Sequence, residues 1–595
     1  VVLFKKGELL MAGYGRLAGS LSSHLRVEER VKILTGAGKG NGEIAIAHSA
    51  YLRLQNFSGR TVLPDGRIVP VPADAQFQRR TSKSRKTFVT TVAFPAVQPG
   101  AILDYQYEVT FGSPFLLEPW YFSEEVPVLR SEVAYRTPGN WTYQIWNRSP
   151  LGVTIHQEKR KTSEGYEVHA WAENLPAVPD DPYGPPYADL ASQMLLLPGR
   201  SSGIAGTEGW MYSWRSTSRL VSQLYLPVIR LDDGLTRTVR KVAGAGDLRR
   251  KAEALYNFVR DEIRTEPGDG VLVDIGQTTL KKVLAERRGT AIEKALLLQN
   301  MLREAGIGSL MIWAVDPGRV TLDDTLPSPG WFDTALVMIE LDFERTFLDP
   351  AAQGLAFGQI RPQYEGTAAR VFETSEGIVL PETPFGENLR RAEVDLALDA
   401  QGRLAGTGTL RLAGLRAAEW LHGKSDPAKT AKDWTDWLAE RWREYRISNV
   451  QVAEVPEERK VTVTWAMAQR EEEALGDEAT ATPGAPLGPA DQPFVEAERK
   501  TDVIFDYPFR DEVELHLRWP EGWKLERSPA AVSLEKPCGT LSETLEPDPG
   551  GHALVVRRRL DVTRRRIAPA DYEALRALLG EAVKSGAQPV TLARR

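Results

Sequence analysis

Three helix-patterned segments follow one another between residues 247 and 305, and most of the chain on either side is patterned for strands. Residues 247–264 place Leu248, Ala252, Leu255, Val259 and Ile263 at helical spacing. Residues 278–286 read as a short second helix. Residues 290–305 read as a third, with Ala295, Leu298, Leu302 and Ala305 on one face. Thr290 and Glu293 form a capping-box pattern at its start, and Gly306 is a natural stop. Strand-like runs follow at 310–315, 334–341 and 346–348. Helices first and strands after, without βαβ alternation, predict an α+β unit at the centre of the chain.

The flanks differ from this centre. Residues 1–185 hold short runs rich in β-branched and aromatic residues at 27–35, 43–57, 87–94, 101–111, 131–137 and 165–171. Turn signals at 36–42, 64–66 and 99–100 separate them, which predicts a β-sandwich. Residues 386–595 return to strands at 392–398, 406–412, 460–467 and 512–519. A helix capped by Asp426 with Pro427 in its first turn interrupts them, with Trp434, Leu438 and Tyr445 along one side. Residues 476–493, rich in Pro, Gly and Ala, predict a loop, and residues 569–583 a final helix. The expected architecture is multidomain α+β: an N-terminal β-sandwich (1–185), a central α+β domain (186–385) and a mostly β C-terminal domain with two helices (386–595).

Composition removes several function classes. The net charge is −6, from 74 basic and 80 acidic side chains, which argues against a nucleic-acid partner. Cys538 is the single cysteine, so no intrachain disulfide, cysteine-cluster metal site or CxxC redox pair can form. No apolar stretch is long enough for a transmembrane helix. The chain opens at Val1 and not at Met, which a removed leader or a truncation would equally explain.

The chemistry-bearing pattern lies in three segments. The first runs Arg287-Arg288-Gly289-Thr290-Ala291-Ile292-Glu293-Lys294-Ala295 and ends Ala305-Gly306-Ile307. The second is Trp331-Phe332-Asp333-Thr334-Ala335, and the third is Thr346-Phe347-Leu348-Asp349-Pro350. Together they resemble the transglutaminase-like superfamily, the papain-like Cys-His-Asp group. The resemblance implies a cysteine at the mouth of a helix, a histidine opening a strand and an aspartate after the next strand. A helix N-terminus favours a thiolate, the histidine takes the thiol proton, and the aspartate orients the imidazole. Here Ala291 stands at the cysteine position and Thr334 at the histidine position. Asp349 alone remains of the triad.

Weaker pieces extend the resemblance to a group of secreted bacterial proteins with a β-rich domain of unknown function before the transglutaminase-like domain and a β-rich domain after it. These are residues 64–69, 94–105 and 567–572. The resemblance implies an extracytoplasmic setting, no required cofactor and no calcium site. The expectation is a pseudoenzyme that binds or scaffolds peptide, protein or cell-envelope glycan. The alternatives are a cysteine-independent hydrolase or acyltransferase drawing a histidine or carboxylate pair from a flanking domain, and a structural cell-envelope protein.

Other features carry plainer readings beside their sharper ones. Asp349 before Pro350 can be a turn residue, Glu293 a helix cap, and Trp313 and Trp331 core aromatics or walls of an old groove. Gly199-Arg200-Ser201-Ser202-Gly203 matches GxSxG, but a glycine-rich stretch follows where a nucleophile elbow needs a helix. Gly36 to Gly42 misses the phosphate-loop spacing and reads as a hairpin turn. Arg79, Arg80, Lys83, Arg85 and Lys86 read as a solvated face or a site for an acidic polymer, as do Arg557 to Arg559 and Arg564 to Arg566.

Overall fold

Burial alternates along strands such as Val128–Pro138, where Ser131, Val133, Tyr135 and Thr137 turn inward, and this period of two sets one sheet face against a core. The computed structural model describes all residues except 16–21, 49–51, 83–86, 113–116, 202–211, 230–232, 269, 273–277, 423–429, 471–475, 485–491 and 595. It is a multidomain, β-rich chain with helices, and it divides into two compact units. The first comprises Val1–Asp180, Pro186–Ala352 and Thr367–Val379; the second comprises Asp181–Pro185, Gln353–Gly366 and Leu380–Arg595.

In the first unit an eight-stranded sheet runs in the order His156–Lys161, Gly165–Leu175, Val128–Pro138, Val2–Leu10, Ser23–Lys32, Ile102–Phe111, Leu52–Val62, Ile68–Pro70. Only Val2–Leu10 and Val128–Pro138 pair in parallel. Two three-stranded sheets share its core: Glu43–His48 with Thr87–Ala93 and Gln76–Ser82, and Trp141–Arg148 with Gln193–Ser201 and Trp120–Tyr121. Tyr135 O–H spans that core to donate to the Met194 carbonyl (2.9 Å). Gly7 is needed where it stands, because a Cβ there would meet the Trp120 ring at 2.6 Å.

The segment expected to be a hairpin turn, Gly36–Gly42, is a 3-10 helix joining strands of two different sheets. Its strands part because Ser23–Lys32 pairs with Ile102–Phe111 while Glu43–His48 pairs with Thr87–Ala93.

The same unit holds a five-stranded antiparallel sheet, Glu344–Leu348, Thr334–Leu341, Ser309–Ala314, Ala368–Val371, Gly377–Val379. The Ala291–Glu304 helix packs on its central strands. That helix is buried from Ile292 through Leu302, and it encloses four polar side chains, Glu293, Lys294, Gln299 and Asn300, among its apolar ones.

The second unit is built on another eight-stranded sheet, ordered Tyr445–Val455, Lys460–Gln469, Leu404–Ala413, Leu389–Leu398, Phe509–Arg518, Ala553–Val562, Gly539–Pro547, Val532–Lys536. Thr430–Arg441 adds Trp434 and Leu438 to one apolar cluster, and Tyr572–Gly586 covers a second with Leu575, Leu578 and Leu579. Tyr445, expected on the helix, opens a strand instead. Asp426 and Pro427 lie outside the described residues. Gly408 faces Trp465 across the ladder, and a Cβ there would stand 2.0 Å from the indole. Gly408→Ala is expected to cost about 1–3 kcal/mol through overpacking. Urea unfolding of the full chain checks this.

Arg79 and Arg80 lie exposed on the Gln76–Ser82 strand, while Lys83, Arg85 and Lys86 lie outside the described residues. The two C-terminal arginine runs form ion pairs with neighbouring carboxylates, and within them Arg558 is the buried member of its run. Arg558 is buried against Glu543 and Ser585, Arg559 pairs with Asp561, and Arg566 pairs with Asp502. Arg558 is therefore structural, while Arg557, Arg564 and Arg566 remain exposed and Arg559 half-exposed. Among the described residues no helix is long and apolar enough to cross a membrane.

Candidate functional site

Ala291 is the first residue of its helix, and the cap before it is fully formed. Thr290 N–H donates to Glu293 Oε2 (2.8 Å) and Glu293 N–H donates to Thr290 Oγ1 (3.4 Å). Glu293 is thus a capping residue. Thr290→Ala is expected to lower stability by about 1 kcal/mol, since it strands a buried N–H; thermal denaturation at neutral pH reads the loss.

One turn further in, Lys294 is fully buried. Its ammonium donates to the carbonyls of Arg260 (3.2 Å) and Ile263 and to Thr265 Oγ1 (3.0 Å). Thr265 O–H in turn donates to the Ala351 carbonyl (2.5 Å). A lysine thus fastens the helix to the end of Leu248–Glu262 and, through Thr265, to the residues just past Asp349.

Asp349 is completely buried. Its Oδ1 accepts from Ala351 N–H (3.2 Å), an Asx-type turn, and its carbonyl accepts from Tyr256 O–H (3.3 Å). Burial, and after it the Asp349 charge, push the Tyr256 phenol up. Leu348 pairs with Val337, three residues into the strand that Thr334 opens, so Asp349 leaves the sheet at the Thr334 end.

The mouth of the helix and the start of that strand share a neighbour. A Cβ on Gly268 would stand 2.4 Å from the Thr290 methyl, and one on Gly270, at φ +76°, would stand 2.5 Å from the Phe332 carbonyl oxygen. Two residues span no more than about 7 Å, so one short loop touches both. Thr334 is buried and pairs with Ala314. The structure therefore gathers the surroundings of positions 291, 334 and 349 at one end of one sheet.

Trp313 and Trp331 are core residues. Trp313 packs on Phe332 (5.3 Å between centroids) and Phe372 (4.8 Å); Trp331 meets Trp146 edge-on (5.7 Å) and donates to the Leu326 carbonyl. Ser201 ends a paired strand, while Ser202 and Gly203 lie outside the described residues. The first unit's histidines have partners within the N-terminal sheets. His24 and His48 meet Thr110 and Thr90, and His156 and His169 stack on Trp171.

The sequence reading missed the roles of Lys294, Thr265 and Tyr256. A lysine in the same helical stretch as Ile292, Ala295, Leu296, Leu297 and Leu298 was the available signal for Lys294; nothing local marked the other two.

Residues 20–179 match the model of DUF3857 and residues 486–592 that of DUF3858, each described as a domain of unknown function with a solved structure. No curated protein matches the sequence. The class is therefore a multidomain β-rich protein carrying segments similar to these two domains. Its whole length shares a fold with the crystal structure of a "putative protease" from Parabacteroides distasonis ATCC 8503. The TM-score is 0.65 and the identity 16%, over 100% of this chain and 99% of that one. At that identity the likeness is one of fold. A "putative cysteine protease" from Cytophaga hutchinsonii overlaps 56% of this chain and 76% of its own at 9% identity, but the TM-score of 0.17 carries no argument.

Proposed function

We propose that the chain is a non-catalytic relative of transglutaminase-like enzymes, with a papain-like core that serves as an extracytoplasmic binding or scaffolding module for peptide, protein or cell-envelope glycan. The observation that carries this reading is the identity of the side chains where the helix mouth meets the sheet. Ala291 opens the capped helix and offers a methyl group where the resemblance implies a thiolate. Thr334 opens the strand with a hydroxyl where it implies imidazole. Alanine has no nucleophile, and threonine is no base at neutral pH. Asp349 has a turn to hold in place of an imidazole.

The test uses the wild-type chain with a glutamine-containing acyl donor and a fluorescent primary amine, followed by intact-mass analysis. No acyl adduct and no amine transfer above the blank is the expected result. A covalent adduct, or turnover proportional to protein concentration, would overturn the reading.

A further inference from the structure

The inward face of the second unit's large sheet is apolar along most of its length but ends in charge. Along Leu389–Leu398 the buried positions are Ala392, Val394, Leu396 and Leu398, and the next in that register is Arg390. Its partner across the parallel ladder is Asp511, which continues the buried series Val513, Leu515 and Leu517. Arg390 grips Asp511 with two bonds (Nε 3.2 Å, Nη2 2.6 Å). From the Leu415–His422 helix, Arg416 Nη2 reaches the same carboxylate (3.1 and 3.2 Å) while its guanidinium lies 4.1 Å above the Phe509 ring. One buried carboxylate thus serves two arginines.

A third arginine lines the same cavity. Arg441, the last residue of Thr430–Arg441, stacks on Trp437 (3.7 Å) and donates to the Trp437 carbonyl (3.4 Å). Among the described residues it has no carboxylate within ion-pair distance. Burial, and after it the charge of Arg390, push its guanidinium pKa down. A half-buried cation facing another cation is costly unless an anion joins it. The cavity these groups line is about 310 Å³, with Phe505, Phe509, Leu560 and Leu579 as apolar walls. Its other acids, Glu419 and Asp506, are exposed.

We infer that this cavity is a binding site for a monocarboxylate with an apolar body, with Arg441 as the principal anchor. The planar guanidinium fork matches a carboxylate. One cation without an ionic partner calls for a single negative charge, and the apolar walls suit the rest of the molecule. The volume lies at the small end of ligand pockets and fits about one amino-acid residue. The C-terminal residue of a peptide and a small free organic acid share this chemistry.

Calorimetric titration of the full chain separates the possibilities. N-acetyl-phenylalanine is expected to bind and its neutral amide to bind at least tenfold more weakly. Arg441→Met is expected to lose at least tenfold, and Arg441→Lys, which keeps a cation without the fork, several-fold. Thermal melts verify that each variant is folded, and the acid-versus-amide comparison on wild type stands without any variant. Preference for N-acetyl-phenylalanine over 3-phenylpropionate supports a peptide terminus, and parity supports a small acid. Equal binding of acid and amide, no binding of either, an undiminished folded Arg441→Met variant, or inorganic phosphate binding as tightly as N-acetyl-phenylalanine would overturn the inference.

Discussion

Ala291→Cys combined with Thr334→His is expected to create a thiol that alkylates tens of times faster at pH 5 than an ordinary surface cysteine. The capped helix mouth favours a negative sulfur, and an imidazolium at residue 334 adds a neighbouring cation. An ordinary thiol with pKa about 8.5 is roughly 0.03% ionised at pH 5, whereas one lowered to about 5.5 is roughly a quarter ionised. Lower basicity reduces nucleophilicity by about 15–30-fold over that interval, which leaves a net gain of tens of fold. At pH 7 the two effects nearly cancel, so the acid limb of the rate profile is where the difference shows. Iodoacetamide labelling followed by mass spectrometry reads it. The native Cys538 gives little background, because it is fully buried and burial pushes its thiol up.

Arg459→Leu is expected to destabilise the second unit by about 3–5 kcal/mol, because it leaves a buried carboxylate without its cation. Glu365 and Arg459 form an ion pair with side chains only 6% and 9% exposed. Glu365 also accepts from Thr383 N–H (2.8 Å) and O–H (2.6 Å), and Arg459 donates to the Ile360 carbonyl (2.8 Å). One pair therefore holds three chain segments together. Differential scanning calorimetry should show a transition lowered by roughly 10 °C. Replacing both partners with apolar residues should recover much of the loss, since no charge is then buried alone.

The helices at the centre were readable because their signals are local. Asp247, Thr279 and Thr290 are N-caps, and the observed helices Leu248–Glu262, Leu280–Glu286 and Ala291–Glu304 begin directly after them. The Trp214–Tyr225 helix escaped notice because its capping box uses Ser213 with Ser216 in place of an acidic third residue. Residues 476–493 looked like a loop, yet Glu478–Ala481 is a strand paired with Val590–Arg594. Four residues with alanines as the inward pair give too little alternation to stand out among Pro and Gly.

The same contrast runs through the site. Ala291, Thr334 and Asp349 stand out in the sequence because short contiguous motifs mark them. The Lys294 bonds depend on where the carbonyls of Arg260 and Ile263 arrive in space, and Arg390, Arg416 and Arg441 converge through sheet register and helix packing. No spacing in the sequence encodes either arrangement.

Everything proposed for the central core depends on residues 291 and 334 facing each other. A variant with Ala291→Cys and Thr334→Cys, treated with a short bis-thiol reagent that fluoresces only when both arms have reacted, measures this in solution. The control pair is Ala291→Cys with Glu304→Cys, separated by the helix length of about 20 Å. Bridging of the 291–334 pair at one reagent per chain, with none in the control, is the predicted result. Two singly modified cysteines in both variants would contradict the account.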